Sequence, residues 1–253
     1  WEEARAGDPT VVRAEKSGYV QYLDTDALLR AAVEAGTRAV EIPVAPGRFV
    51  STGLPLLRVW PSRKLDGDSE EAIHDAFVFG SERSFRQDFA FGLRQLSDIA
   101  LKGLSPGVND PTTAMQALDR MEAIFVALGP KALPPLVRRQ KVGDARVLVR
   151  IGYYDFEDVA GLAFDQVRRA AFTSGQVAVL ERLITVLQRA AEANGSPDRR
   201  LALWRRAFAV GRLAPDQIPD PNDAANLALR VAELGASLAK TGPRDEMVAD
   251  LKE

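Results

Sequence analysis

The sequence predicts an α+β fold: a small β-rich unit with an inserted helix over residues 1–64, then a mainly helical domain over 65–253 with one strand near 145–151. Three observations lead there. Up to Trp60 the chain is a series of short β-branched or aromatic runs broken by glycine and proline. From Asp68 onward the apolar residues recur at helical spacing. The composition, 46% apolar and 27% charged, is that of a globular chain, and 253 residues suffice to bury a sizeable core.

In the β unit, Thr10–Ala14, Tyr19–Leu23, Ala39–Val44 and Pro55–Trp60 read as strands. Between the second and third, Leu28, Leu29, Ala32 and Val33 fall at helical spacing behind Asp24 or Thr25 as a cap, which predicts a helix over Asp24–Ala35. Pro46-Gly47 supplies a tight turn, Phe49-Val50 an inward pair, and Gly53-x-Pro55 a second turn.

In the helical part, Asp68 and Glu71 have capping-box spacing and open a helix over Ser69–Phe79. Glu82–Leu104 is the longest well-patterned helix, and Asp110-Pro111 places a cap and a first-turn proline before Thr112–Leu128. Pro130–Gly143 reads as a loop with a basic cluster, Arg138, Arg139 and Lys141, and valine-rich Ala145–Ile151 as a strand. Helices follow from Asp155 to about Phe172, over Gln176–Ala193 and over Ser196–Val210. A linker, Ala214–Pro221, precedes a last helix running to about Ala239.

Several function classes drop out. Thirty-three basic residues against thirty-five acidic ones give a net charge of −2, so no overall positive field favours nucleic acid. The basic pairs Arg138-Arg139, Arg168-Arg169, Arg199-Arg200 and Arg205-Arg206 also lack interleaved aromatics. The absence of cysteine excludes disulfides, thiolate nucleophiles and thiolate zinc sites. His74 is the single histidine, so a two-histidine metal motif is impossible. The longest run free of acidic and basic residues, Ala170–Leu180, falls far short of the roughly 18–20 apolar residues of a spanning helix. No P-loop, dinucleotide fingerprint, nucleophile elbow or H-E-x-x-H occurs. No cofactor and no metal site is expected, and an enzymatic role is the less favoured one.

The stretch from Gly80 to Ala114 carries the most information. Read as one helix at about 100° per residue, Phe85, Phe89, Gly92, Leu93, Leu96, Ile99 and Ala100 share a broad apolar face. Arg83, Gln87, Arg94 and Asp98 form a polar stripe on the far side, with Phe91 beside it and Asp88 and Gln95 along its edge. Three readings of the stripe are open: a solvated face with local ion pairs such as Arg94–Asp98, a face covered by another helix or subunit, and a catalytic site.

The loop Ser105-Pro106-Gly107-Val108-Asn109-Asp110-Pro111 is dense in residues that fix backbone angles, and a helix–helix turn accounts for all of them. Two functional readings stand beside that one. Free N–H groups at the start of the next helix could hold an anion, or Asp98, Asn109, Asp110 and Asp119 could offer oxygens to a hard cation. Glu70-Glu71 and Glu157-Asp158 lie in first turns of expected helices, where they favour the helix dipole over acid–base work.

Two resemblances add to this. Ser17-Gly18-Tyr19-Val20 with Ala45-Pro46-Gly47-Arg48-Phe49-Val50-Ser51-Thr52-Gly53-Leu54-Pro55-Leu56 resembles the two-turn pattern of biotinyl/lipoyl-type barrel-sandwich domains, which implies a barrel-sandwich-like β unit. No lysine lies between Lys16 and Lys64, so the modified lysine of a swinging-arm carrier has no counterpart and a rigid structural barrel is expected.

The second resemblance rests on Ser17-Gly18-Tyr19-Val20-Gln21, Pro46-Gly47-x-Phe49-Val50, Gly80-x-Glu82-Arg83 and Gln87-Asp88. It extends through Phe91-Gly92-x-Arg94-Gln95-Leu96-x-Asp98-Ile99-Ala100 and Leu104-Ser105-Pro106-Gly107-x-Asn109-Asp110-Pro111-x-Thr113-Ala114. In these strings the chain resembles the soluble C-terminal region of a bacterial family of predicted membrane proteins, domain of unknown function 2254. Members carry transmembrane helices before this region, and a start at Trp1 fits a chain that follows such an anchor. The resemblance implies an inner-membrane location through that missing region and no defined activity; an even number of preceding spans with a cytoplasmic N-terminus would put this part on the cytoplasmic side, which is the expected one.

The expected function is therefore a regulatory or scaffolding portion of a membrane assembly that acts through protein contacts, as a homo-oligomer or with a membrane-protein partner. The alternative is an anion-binding or metal-assisted hydrolase around 83–110. There Arg83 and Arg94 would grip an anionic group, Gln87, Asn109 and Asp110 would line the pocket, and Asp98 would act as base or metal ligand.

Overall fold

The computed structural model describes residues 1–62, 64–133 and 135–239. The chain is mixed α and β and divides into two compact units, Trp1–Gly92 with Leu133–Tyr154, and Leu93–Ala132 with the chain from Asp155 onward. This division differs from a single break at 64/65, because strand pairing carries a late segment back into the N-terminal unit.

In the first unit, five strands run in the order β1 (Thr10–Arg13), β5 (Pro55–Trp60), β3 (Ala39–Ile42), β8 (Ala145–Ile151) and β7 (Val137–Val142). Neighbours are antiparallel except β3 and β8, which run parallel with Ala39 opposite Leu148 and Ile42 opposite Ile151. A second sheet holds β4 (Phe49–Val50), β2 (Gly18–Leu23) and β6 (Phe77–Gly80). No closed barrel forms among the described residues, so the expected barrel resolves into two open sheets.

Alternation explains the core. Val40 and Ile42, Leu57 and Val59, and Val147, Val149 and Ile151 are alternate residues of their strands and are buried together with Val20 and Leu23. α1 (Thr25–Glu34) adds Leu28, Leu29 and Ala32 to the same cluster, and α2 (Gly67–Asp75) adds Ile73. Asp24 starts α1 by accepting the Ala27 N–H at 2.9 Å, and Asp66 starts α2 by accepting that of Ser69 at 2.8 Å.

Two local expectations are corrected here. Phe77-Val78-Phe79 reads as the end of a helix from Ser69, yet α2 stops at Asp75 and the next four residues pair with β2, Phe77 opposite Leu23 and Phe79 opposite Val20. Four residues are too few to separate a period of two from one of 3.6, and the partner strand decides. Pro130–Gly143, read as a loop, contains β7. The strand near 145–151 is present as β8, but it completes the sheet of the first unit.

The second unit is helical. α3 (Phe89–Gly103) enters it, followed by α4 (Pro111–Leu128), α5 (Phe156–Thr173), α6 (Val177–Glu192), α7 (Pro197–Gln217) and α8 (Pro221–Leu238). α6 packs against α4, α5, α7 and α8, and α7 against α5 and α8. The ring of Phe125 meets Phe156 edge-on at 5.7 Å and Phe164 at 4.8 Å. α8 passes close to the buried Trp204, since a Cβ on Gly235 would lie 2.7 Å from Cη2 of that indole. Across α4 and α6, Arg182 bridges Asp119 at 2.6 Å and Glu122 at 3.0 Å. α7 runs on into the expected linker, with Pro215 inside it. The helix expected over Glu82–Leu104 begins only at Phe89, so Arg83 and Gln87 stand in a loop and cannot share a helical stripe with Arg94 and Asp98.

Candidate functional site

In the first unit, the loop from Ser81 to Asp88 is fastened along β2. The register of β2 on β6 shifts between Val20 and Tyr22, leaving Gln21 as a bulge whose side chain is re-aimed. Gln21 Nε2 donates to the Glu82 carbonyl at 2.7 Å, and the Ser84 hydroxyl donates back to the Gln21 carbonyl at 3.2 Å. The Gln21 amide lies directly over Gly80, where a Cβ would overlap it. One turn on, Gln87 Oε1 accepts the Leu23 N–H at 2.8 Å and Gln87 Nε2 donates to the Leu23 carbonyl at 3.1 Å. The side-chain amide thus copies a peptide group and adds one rung to the strand. Arg86 stacks over the Tyr22 ring at 4.1 Å.

The loop ends on a buried carboxylate. Asp88 is 3% exposed, and its Oδ1 accepts the Phe91 N–H at 3.0 Å, the hydrogen bond of a helix N-cap. Its Oδ2 accepts from Arg83 Nε at 2.8 Å, and Arg83 Nη2 lies 2.7 Å from the same oxygen. The Arg83 guanidinium also covers the Phe91 ring at 4.8 Å, and Phe85 packs on Phe91 at the same centroid distance. On its other side the carboxylate rests on the Pro46-Gly47 turn. Gly47 has φ 88° and a Cβ there would overlap Asp88, so both the backbone angle and the space require glycine. Arg83, Asp88 and Phe91 are therefore brought together, and Gln87 is directed to Leu23 instead.

The remaining candidates belong to the second unit. Arg94 Nε pairs with Asp98 Oδ1 at 2.9 Å, one turn apart on α3, with both groups open to solvent; such pairs contribute about 0.3–0.5 kcal/mol. Gln95 is exposed. Asn109 takes φ 46°, a conformation asparagine tolerates, and its Oδ1 accepts from Gln176 Nε2 at 2.9 Å. Asp110 caps α4: Oδ1 accepts the Thr113 N–H at 3.1 Å and Oδ2 the Thr113 hydroxyl at 2.5 Å, which together hold its carboxyl below the usual aspartate range. Among the described residues, no group of three or more His, Asp or Glu side chains is placed to hold a metal ion.

The chain matches a family described as "Predicted membrane protein (DUF2254)" over residues 1–189. It belongs to that family. The uncharacterized proteins Rv1290c of Mycobacterium tuberculosis and Mb1321c of Mycobacterium bovis are 32% identical to it over 238 residues, which is 92% of this chain and 44% of theirs. The chain thus spans less than half the length of these relatives. No solved structure matches it. No helix among the described residues is long and apolar enough to cross a membrane. The family strings around Gln21, Pro46-Gly47, Arg83 and Gln87-Asp88 fold onto one another, and Asn109-Asp110-Pro111 is a helix cap.

Sequence reasoning missed the apolar residues left in the open. The buried face of α3 is Ala90, Leu93, Ser97 and Ala100, so Phe89 is 51% exposed and Ile99 47%. A pattern of period 3.6 gives the width of an apolar face but not which part of it meets the core. Leu96 and Ile99 border a groove of about 310 Å³ that Thr113, Gln116, Ala117, Asp119 and Arg120 of α4 complete.

Proposed function

We propose that this chain is the protein-contact portion of a membrane-associated family member, serving a regulatory or scaffolding role by pairing with a second copy of itself through α3. The observation that carries the reading is the exposed Ile99 beside the α3–α4 groove, lined by Leu96 and Ala117. A surface that bears both an apolar knob and a matching groove is self-complementary under a two-fold axis, each copy's Ile99 entering the other's groove. The family description supports membrane association; the cytoplasmic side is part of this proposal.

The hydrolase alternative has less to stand on. Arg83 and Asp88 neutralise each other, Gln87 is bound to Leu23, Arg94 to Asp98, Asn109 to Gln176 and Asp110 to Thr113. Each of these groups already has a structural partner with which a substrate would have to compete.

Light scattering on the purified chain tests the contact reading. The chain is expected to be a dimer at tens of micromolar, and Ile99→Asp is expected to give monomers with an unchanged melting temperature. A wild-type monomer at that concentration, or a dimer indifferent to Ile99→Asp, would overturn it. Phe91 is unsuited to the purpose, because its ring is packed under Arg83 and Phe85.

A further inference from the structure

The five-stranded sheet of the first unit ends in the β7–β8 hairpin, and its register concentrates cations on one face. Lys141 lies opposite Arg146, Arg139 opposite Leu148, and Val137 opposite Arg150. Directly opposed residues of an antiparallel pair share a face. Val147, Val149 and Ile151 alternate with the β8 residues of this set and are buried in the core, so the cationic face is the outer one. On β7 the intervening Gln140 turns the other way, toward Asp26 at the start of α1.

Acids on the outer face are few. Glu41 of β3 takes Arg58 at 2.8 Å and Arg150 at 3.7 Å, so one carboxylate already serves two guanidiniums. Asp144 stands in the hairpin turn. Arg139, Lys141 and Arg146 are exposed, and none pairs with a carboxylate in an ion pair among the described residues. Five cations thus stand against two acids in a chain whose net charge is −2. Like charges set directly opposite each other across a strand pair destabilise it. Lys141 against Arg146 is such a pair, and an anionic surface would relieve it.

We propose that this outer hairpin face lies on an anionic lipid surface. Charge complementarity argues for an anion. The family's description as membrane proteins favours a bilayer over a polynucleotide, and so does the make-up of the face, where Val137 and Leu148 sit between the cations and Trp60, the aromatic ring on this side of β5, is buried against Trp1 and closed to a base. The lipid headgroups meet Arg139, Lys141, Arg146 and Arg150 across a flat strand pair, with no pocket required. The contact does not depend on α3, since the hairpin belongs to the first compact unit and Ile99 to the second.

Co-sedimentation with vesicles of phosphatidylglycerol in phosphatidylcholine, at physiological salt, tests this. The chain is expected to bind these vesicles, to leave pure phosphatidylcholine in solution, and to be released by raised salt. Each cation removed is expected to lower partitioning about fivefold, so Lys141→Gln with Arg146→Gln lowers it about 25-fold. The melting temperature of that variant is expected to hold or rise, as a repulsion has been removed; Arg139→Gln gives a second, single-charge measurement. Absence of binding to the anionic vesicles, binding that neither variant weakens, or equal binding to neutral vesicles would overturn the proposal. So would retention on a duplex oligonucleotide without retention on vesicles.

Discussion

Replacing Gly47 by alanine measures how firmly the Asp88 carboxylate holds the turn, and Gly53 supplies the matched control. Both glycines sit at nearly the same backbone angle, φ 88° and 84°. An L-residue there costs about 1–2 kcal/mol at either position. The surroundings differ: a Cβ at Gly53 meets nothing within 4 Å, whereas one at Gly47 overlaps Asp88. Displacing Asp88 removes an N-cap bond of about 1 kcal/mol. It also removes the charge-assisted contact with Arg83, about 1–2 kcal/mol given that the arginine side chain is 18% exposed. Gly47→Ala should therefore cost about 3–5 kcal/mol and Gly53→Ala about 1–2. Urea unfolding followed by tryptophan fluorescence reads the difference, with Trp60 in the same unit. In an Asp88→Ala background the cost of Gly47→Ala should shrink to that of Gly53→Ala. Equal costs for the two glycines in the wild-type background, or no coupling to Asp88, would refute the reasoning.

Two further outcomes follow from the same geometry. Gln87→Ala should lower stability by about 1–2 kcal/mol through loss of its two bonds to Leu23, and Gln87→Glu should cost more, since it sets a carboxylate against the Leu23 carbonyl; a thermal melt that ranks them otherwise counts against the added rung. The Asp110 carboxyl is held below its ordinary value of 3.8 by the Thr113 hydroxyl and N–H. A depressed carboxyl contributes stability that is complete above the unfolded value and is lost as pH falls through the folded one. Melting temperature should therefore decline on acidification below that ordinary value, and Asp110→Asn should flatten this part of the decline; an identical acid slope in the variant would remove Asp110 from the account.

Much of the fold could be read from local signals. Asp24, Asp110-Pro111, Asp155 and Asp220-Pro221 each open a helix where capping chemistry says one should begin. The early strands follow from β-branched runs between glycine and proline. The failures come where a distant partner outranks local pattern. Phe77–Gly80 is a strand because β2 offers an edge, and 81–88 leaves helical geometry because Gln87 and Ser84 bind that strand instead. β7 was hidden by its charges, since Arg139 and Lys141 mask the alternation of a half-exposed strand. The candidate residues do not share one helical face, and the partner of Gln87 lies sixty-four positions away, beyond any spacing argument.

The parallel match of β3 with β8 has a consequence for how the polypeptide is made. Ala39 waits for Leu148, and about a hundred residues, carrying four strands and three helices, must leave the ribosome in between. Until they do, β3 presents one unsatisfied edge to solvent or to a chaperone, and closing so long an excursion is a slow, entropically opposed event. An N-terminal fragment ending before β7 would keep that edge permanently open and should aggregate, so any expression strategy that trims this protein at its apparent β-to-α transition works against its own sheet.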